Sequence, residues 1–176
     1  MIFNPKSFGA KADGSHDDTN AIQQAIDKAF FSGGGRIVLK NGVFLSGTIY
    51  LKSNISLEID ASACLLASPD INSYGSDTHH NRYRNEPELD RCFIFAENAD
   101  NIELCGNGII NGNAEFFPNS NNIYRPMMIR FLNCRNIRLH DLRLYNSAAW
   151  TTAFLDSERI FISNIDIKNS KNYNGD

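Results

Sequence analysis

Asn101-Ile102-Glu103-Leu104 returns thirty-five residues later as Asn136-Ile137-Arg138-Leu139, and twenty-three residues after that as Arg159-Ile160-Phe161-Ile162. Asn54-Ile55-Ser56-Leu57 reads as an earlier copy. The offset of 23 extends well past the tetrad: Phe131-Leu132-Asn133 matches Phe154-Leu155-Asp156, Leu142 and Leu144 match Ile165 and Ile167, and Asn146 matches Asn169. Asn111 precedes Asn146 by 35, so the upper copies differ by a 12-residue insertion within 112–135. Each copy holds only two or three strands of three to five residues, too little to bury a face alone, so neighbours must stack along an axis with strands about 4.8 Å apart. The pattern predicts an all-β parallel solenoid. Composition agrees, because twenty-two asparagines stand beside nineteen isoleucines. Asparagine tolerates left-handed corners and isoleucine favours strands.

Residues 17–35 depart from this pattern. Asp17-Asp18-Thr19 offers N-caps, Ala21, Ile22, Ala25, Ile26, Ala29 and Phe30 repeat at helical spacing, and Gly33-Gly34-Gly35 stops the run. A short amphipathic helix is expected there, with the two aspartates as caps rather than as metal ligands or catalysts. The triple glycine is no phosphate loop, since no Gly-Lys-Ser/Thr follows it. Strands are then expected at 36–39, 43–45, 48–51 and 55–59, with a turn at Asn41-Gly42. The chain reads as one domain over 1–176, with a cap region at 1–53 and stacked coils from 54 onward.

With 176 residues, 42% of them hydrophobic, there is room for one modest core. A formal charge of -3 argues against a generally basic nucleic-acid binder. No apolar run is long enough for a membrane span, and Met1-Ile2-Phe3-Asn4-Pro5 lacks the features of a secretory leader, so a cytoplasmic location is expected unless a leader was removed. The spacings of Cys64, Cys92, Cys105 and Cys134 are 28, 13 and 29, with no CxxC pair, so buried free thiols are expected.

Several strings resemble the polygalacturonases of glycoside hydrolase family 28. FGAKADGSHDDTNAIQQAID (8–27) and GGGRIVLKNGVFLSGTIYLKSN (33–54) look like an N-terminal cap that those enzymes share with certain pectate lyases and phage tail proteins. LLASPDINSY (65–74), GNGIINGN (106–113), RPMMIRFLNCRNIRL (125–139), NSAAW (146–150) and NYNGD (172–176) follow the family order over nearly the whole chain. The resemblance implies a right-handed parallel β-helix with a short N-terminal capping helix. It also implies an inverting glycoside hydrolase acting on pectic polysaccharide. By the match of NYNGD to the family's Asn-Thr-Asp signature, with Gly175 replacing Thr, Asp176 would be a catalytic carboxylate and Asn174 the signature's asparagine. In that family an Asp-Asp pair about one coil later, then Gly-His-Gly and Arg-x-Lys, follow the signature, and residues 1–176 stop at the signature itself. Glycoside hydrolysis needs an acid and a second carboxylate, so this chain by itself is expected to be inactive.

One repeat of 23 before Asp176 lies Ala153, and a second lies Arg130. Trp150 to Ala153 and Met128 to Arg130 are therefore expected to line the groove. Trp150, the single tryptophan, either stacks on a sugar ring or fills the gap beneath a turn. A polyuronate calls for cationic partners. Arg125, Arg130, Arg135, Arg138 and Arg143 cluster within nineteen residues, and His79, His80, Arg82 and Arg84 within loop 68–91. Arg130, Arg82 and His80 are the substrate-binding candidates among them, while a solvated outer face accounts for most of the arginines. Loop 68–91 is long and polar, which suggests that it folds over one edge of the cleft. His79-His80 lacks a carboxylate or cysteine at ligand spacing, and no cofactor is implied.

Two other readings compete. A calcium-dependent pectate lyase would need clustered acidic ligands, and none is visible on the repeats. A β-helical adhesin or tail fibre would account for the incomplete catalytic set, but not for the enzyme-like order of the strings. The expected partner is pectic polysaccharide or oligogalacturonide, bound by a monomer whose C-terminal coil edge, with Ile160, Ile162, Ile165 and Ile167, is open.

Overall fold

The computed structural model describes residues 1–78, 90–117 and 124–169. Its strands are β1 (Ile2–Phe3), β2 (Asp13–Asp17), β3 (Gly35–Leu39), β4 (Gly42–Ser46), β5 (Ile49–Leu51), β6 (Ile55–Ile59) and β7 (Ala63–Ala67). They continue as β8 (Cys92–Glu97), β9 (Asp100–Cys105), β10 (Ile109–Asn111), β11 (Met127–Leu132), β12 (Arg135–Tyr145), β13 (Thr152–Leu155) and β14 (Glu158–Lys168). One α-helix, α1 (Thr19–Phe31), precedes β3.

All the pairings are parallel, and they run along three ribbons. The first follows β1-β3-β6-β9-β12, the second β2-β4-β7-β10-β12, and the third β5-β8-β11-β13. β12 belongs to two ribbons because it bends at Asp141, whose φ is +56°; its first half pairs with β9 and its second half with β10. β14 repeats the bend at Asn164 and pairs with β12 along both halves. Each turn of chain thus visits three ribbons and rises one strand spacing: a right-handed parallel β-helix.

The repeats seen in the sequence are the register of the stack. Phe131 pairs with Phe154 and Ile137 with Ile160, both steps of 23. Ile102 pairs with Ile137, a step of 35, and Cys92 with Met127, also 35. Along the second ribbon the step is 34, Asn111 facing Tyr145, because one residue fewer forms the bend before it. The extra residues lie between β10 and β11, which narrows the insertion from 112–135 to 112–126. A larger one lies between β7 and β8, since Ile49 pairs with Ile94 across 45 residues.

Strand alternation explains the core. Ile37, Leu57, Leu104 and Leu139 form one inward row, and Phe44, Leu65, Ile110 and Leu144 another, all buried. Each such side chain contributes roughly 1.5–3 kcal/mol by leaving water. α1 closes the N-terminal end with the buried face Ala21, Ile22, Ala25, Ile26 and Ala29. Its start differs from the expectation. Asp18 holds the N-cap position but makes no cap bond; its buried carboxylate instead accepts from Lys11 N and Ala12 N at 2.7 and 2.9 Å. Asp17 takes the local role, accepting from Thr19 N at 2.9 Å. Two backbone donors of the 10–12 turn need an acceptor more than the helix end does, because the helix end can meet water.

The asparagines occupy the corners. Ten of the fourteen described non-glycine residues with positive φ are Asn. In one column Asn101 Nδ2 donates to Asn54 Oδ1 at 2.8 Å, and Asn136 Nδ2 to Asn101 Oδ1 at 3.0 Å. Asn133 bonds Asn98 in a second column at 2.6 Å, and Asn164 bonds Asp141 in a third at 2.6 Å. The amide both donates and accepts, so a column continues without an orphan group. Arg159 is next in the first column, with φ +57° and no amide. Arg159→Asn is expected to stabilise the chain by about 1 kcal/mol, since an ordinary residue pays ~1–2 kcal/mol in this conformation. A urea midpoint that does not rise would contradict the account of the columns.

β14 has one strand neighbour, β12, among the described residues. Ile160 and Ile165 remain half-covered, while Ile162 and Ile167 are each 51% exposed.

Candidate functional site

Both insertions emerge at the same corner of the coil, where the second ribbon hands over to the third. Four segments converge there among the described residues: 46–48, 68–78, 112–117 and 146–151. The first two are tied by Ser68 N donating to Ser46 O at 2.8 Å, Thr48 N to Ser73 O at 3.3 Å and Gly75 N to Thr48 Oγ1 at 3.0 Å. Tyr74 anchors its segment by donating its hydroxyl to Ser68 O at 2.6 Å, and its ring meets Phe93 and Phe117 edge-on. Phe117 belongs to the second insertion, so one aromatic cluster joins both. Asn113 adds a bond from Nδ2 to Ala67 O at 2.9 Å, and Ala114 N donates to Asn146 O at 3.1 Å.

The string NSAAW is folded by its neighbours. Ser147 N donates to Asn169 Oδ1 at 2.9 Å, Asn169 Nδ2 to Thr151 Oγ1 at 3.1 Å and Arg125 Nη1 to Ala148 O at 3.2 Å. Ser147, Ala148, Ala149 and Thr151 are buried by these contacts, which leaves Trp150 as the residue that reaches solvent, 38% exposed. Tyr124, 43% exposed, lies at the same corner with the Arg91 guanidinium 5.3 Å over its ring; Arg91 also pairs with Asp90 at 2.7 Å. Trp150 was legible as the single tryptophan. Tyr124 and Arg91 were missed, and no local pattern marks either of them.

Arg130 is placed differently from the expectation. It faces outward from the third ribbon, in register with Phe95 and Ala153, yet is fully buried. Segment 68–78 crosses that face: Arg130 Nη1 donates to Thr78 O at 2.7 Å, and Tyr50 donates its hydroxyl to Asp77 at 2.6 Å. A small apolar cluster of Cys92, Phe95, Met127 and Ala153 surrounds the guanidinium. Met128 is buried as well, so neither residue lines an open surface. Arg135, Arg138 and Arg143 lie on the exposed outer side, Arg135 pairing with Glu158 at 2.7 Å and Arg143 donating to Asn107 O at 2.8 Å. His80, Arg82, Asn174 and Asp176 lie outside the described residues.

The four cysteines are free. Burial pushes the Cys92 thiol up to about 12 and Cys64 up to about 11, values of unreactive side chains. Among the described residues one set of metal-ligating groups gathers, Glu103, Cys105 and His140, with ligand atoms within 4.8 Å of one another. It sits on the first ribbon, away from the corner. Hydrogen bonds to Asp141 and Glu103 hold the His140 imidazole above its usual value.

Residues 2–172 match the family described as rhamnogalacturonase A/epimerase, pectate lyase-like, and the chain belongs to that family. It is 30% identical to polygalacturonase-2 of Solanum lycopersicum over 96% of this chain and 37% of that protein. To an exo-poly-alpha-D-galacturonosidase of Dickeya chrysanthemi it is 36% identical over 64% of this chain and 19% of the relative. The fold is similar to that of a hyperthermoactive exopolygalacturonase from Thermotoga maritima, with a TM-score of 0.83 at 24% identity, covering 98% of this chain and 48% of that one. The chain therefore spans well under half the length of the curated relatives it matches, and the resemblance to polygalacturonases read from its motifs holds.

Proposed function

We propose that this chain is the front portion of a polygalacturonase-type glycoside hydrolase, and that its corner forms one end of a groove for pectic polysaccharide. The observation that carries the reading is the convergence of both insertions on the one corner where Trp150 stands exposed. The string NYNGD begins four residues after Lys168, where β14 ends, as NSAAW follows β12 one coil earlier. In this reading Asp176 is one of the two carboxylates of an inverting pair and Asn174 a substrate contact. Such pairs stand roughly 6.5–9.5 Å apart, wider than one strand spacing of about 4.8 Å, so their side chains splay. Trp150 offers its ring to the C–H face of a sugar, and Arg91, part-exposed beside Tyr124, is the cation for a uronate carboxylate.

Two results are expected of the 176-residue chain. Incubated with polygalacturonate it releases no reducing sugar, because one carboxylate cannot act as both acid and base. It does bind an oligogalacturonide in titration calorimetry, and Trp150→Ala weakens that binding about tenfold, equivalent to ~1.4 kcal/mol. Sugar release by the purified chain would overturn the single-carboxylate reading. Unchanged binding by the Trp150 variant would remove this corner from the groove.

A further inference from the structure

We propose that Glu103, Cys105 and His140 form a site for a borderline-soft divalent cation of the zinc type on the outer face of the first ribbon. The placement follows from the stack. Glu103 and Cys105 are two apart on β9 and so share a face, and His140 follows the Leu139–Leu104 register pair on β12, one coil away. The three offer a carboxylate, a thiol and an imidazole, the mixed set zinc takes at about 2.0–2.3 Å from each donor. Their ligand atoms lie within 4.8 Å of one another, and His140 Nε2 is already 3.1 Å from Glu103 Oε1. A cation between them needs the side chains to close on it by little, and a fourth position stays open to water.

The surroundings orient these donors as a metal site requires. Asp141 Oδ2 stands 2.7 Å from His140 Nδ1, which fixes that nitrogen as the protonated one and leaves Nε2 to ligate. Ser56 donates its hydroxyl to Glu103 Oε2 at 2.6 Å and lies 3.9 Å from Cys105 Sγ, holding the carboxylate in place. Glu58, in register with Cys105, adds negative charge. Arg36 and Arg138 oppose it, each 3.9 Å from a Glu103 oxygen; both side chains are about half exposed or more, and Arg36 makes its closer contact, 3.1 Å, with Glu58 rather than with Glu103. Glu103 also lines a groove of about 1120 Å³ with Asn54, Asn101 and Asn136, so a hydrated ion can reach it. The bare alternative is an imidazolium–carboxylate ion pair, in which a proton on Nε2 takes the place of the metal.

The test uses the reduced, chelator-treated 176-residue chain titrated with Co²⁺ and then Zn²⁺. Saturable one-to-one binding is expected, with a thiolate-to-cobalt charge-transfer absorption that Zn²⁺ abolishes. Cys105→Ser loses that absorption, His140→Ala weakens binding at least tenfold, and Asp141→Asn weakens it 10–100-fold through the orientation of the ring. His140 and Asp141 are partly exposed, so their variants remain folded by circular dichroism even if Cys105→Ser does not. Absence of saturable binding by the native chain, or binding unaltered in His140→Ala and Asp141→Asn, overturns the site and leaves the ion pair.

Discussion

Gly47→Ala is expected to cost the chain about 3 kcal/mol, the upper end for overpacking a filled site. Gly47 makes the turn between β4 and β5, and a Cβ there would collide with the carbonyl oxygen of Ser73 and lie 2.9 Å from Ser73 Cβ. Ser73 cannot retreat freely. Its carbonyl accepts from Thr48 N at 3.3 Å, and Tyr74, the next residue, is held by its hydroxyl on Ser68 O at 2.6 Å. Relief therefore comes by lifting the whole of 68–78, which would open the third ribbon and expose Arg130. The expected signature is a lowered urea midpoint together with faster proteolysis inside 68–78. A variant with the native midpoint would show that this segment does not sit on the corner as described.

Phe131→Ala should be as damaging, at about 3–5 kcal/mol. Phe131 is buried, in register with Ala96 on one side and Phe154 on the other, and its ring meets that of Phe154 at 5.8 Å and 70°. Edge-to-face pairs add about 1 kcal/mol beyond burial. Removing both rings should therefore cost about 1 kcal/mol less than the sum of the two single losses, measured by a double-mutant cycle in urea. Strict additivity would mean the two residues do not touch, and the 23-residue step would lose its structural meaning.

The stack itself was legible because burial in a solenoid is periodic: the Ile and Leu that face inward in one coil are the ones that recur 23 or 35 residues later. The corners were legible for a related reason, since a left-handed residue that must also bond its neighbour above and below leaves few choices besides asparagine. What escaped depends on contacts between segments with no shared period. Arg130 sits in a string that resembles a groove motif, yet segment 68–78 comes across from the preceding coil and covers it. Asp18 looks like a helix cap because Thr19 and the apolar stripe follow it; only the folded path brings Lys11 N and Ala12 N to its carboxylate. Tyr124 and Arg91 meet through the two insertions, which carry no repeat at all. Of the candidate site, the sequence revealed Trp150 and the strings around it, whereas the partners that expose or bury each residue required the fold.

The arrangement of the corner has a consequence for how such a protein can change. The steps of 45 and 34–35 residues and the step of 23 end in the same alignment of strands, so the number of residues spent at that corner is invisible to the rest of the coil. Segments there can differ in length from coil to coil while the strands on either side keep their register. The length of the excursions and the pitch of the coil are thereby set independently, the one by the residues that cross the corner and the other by the strands.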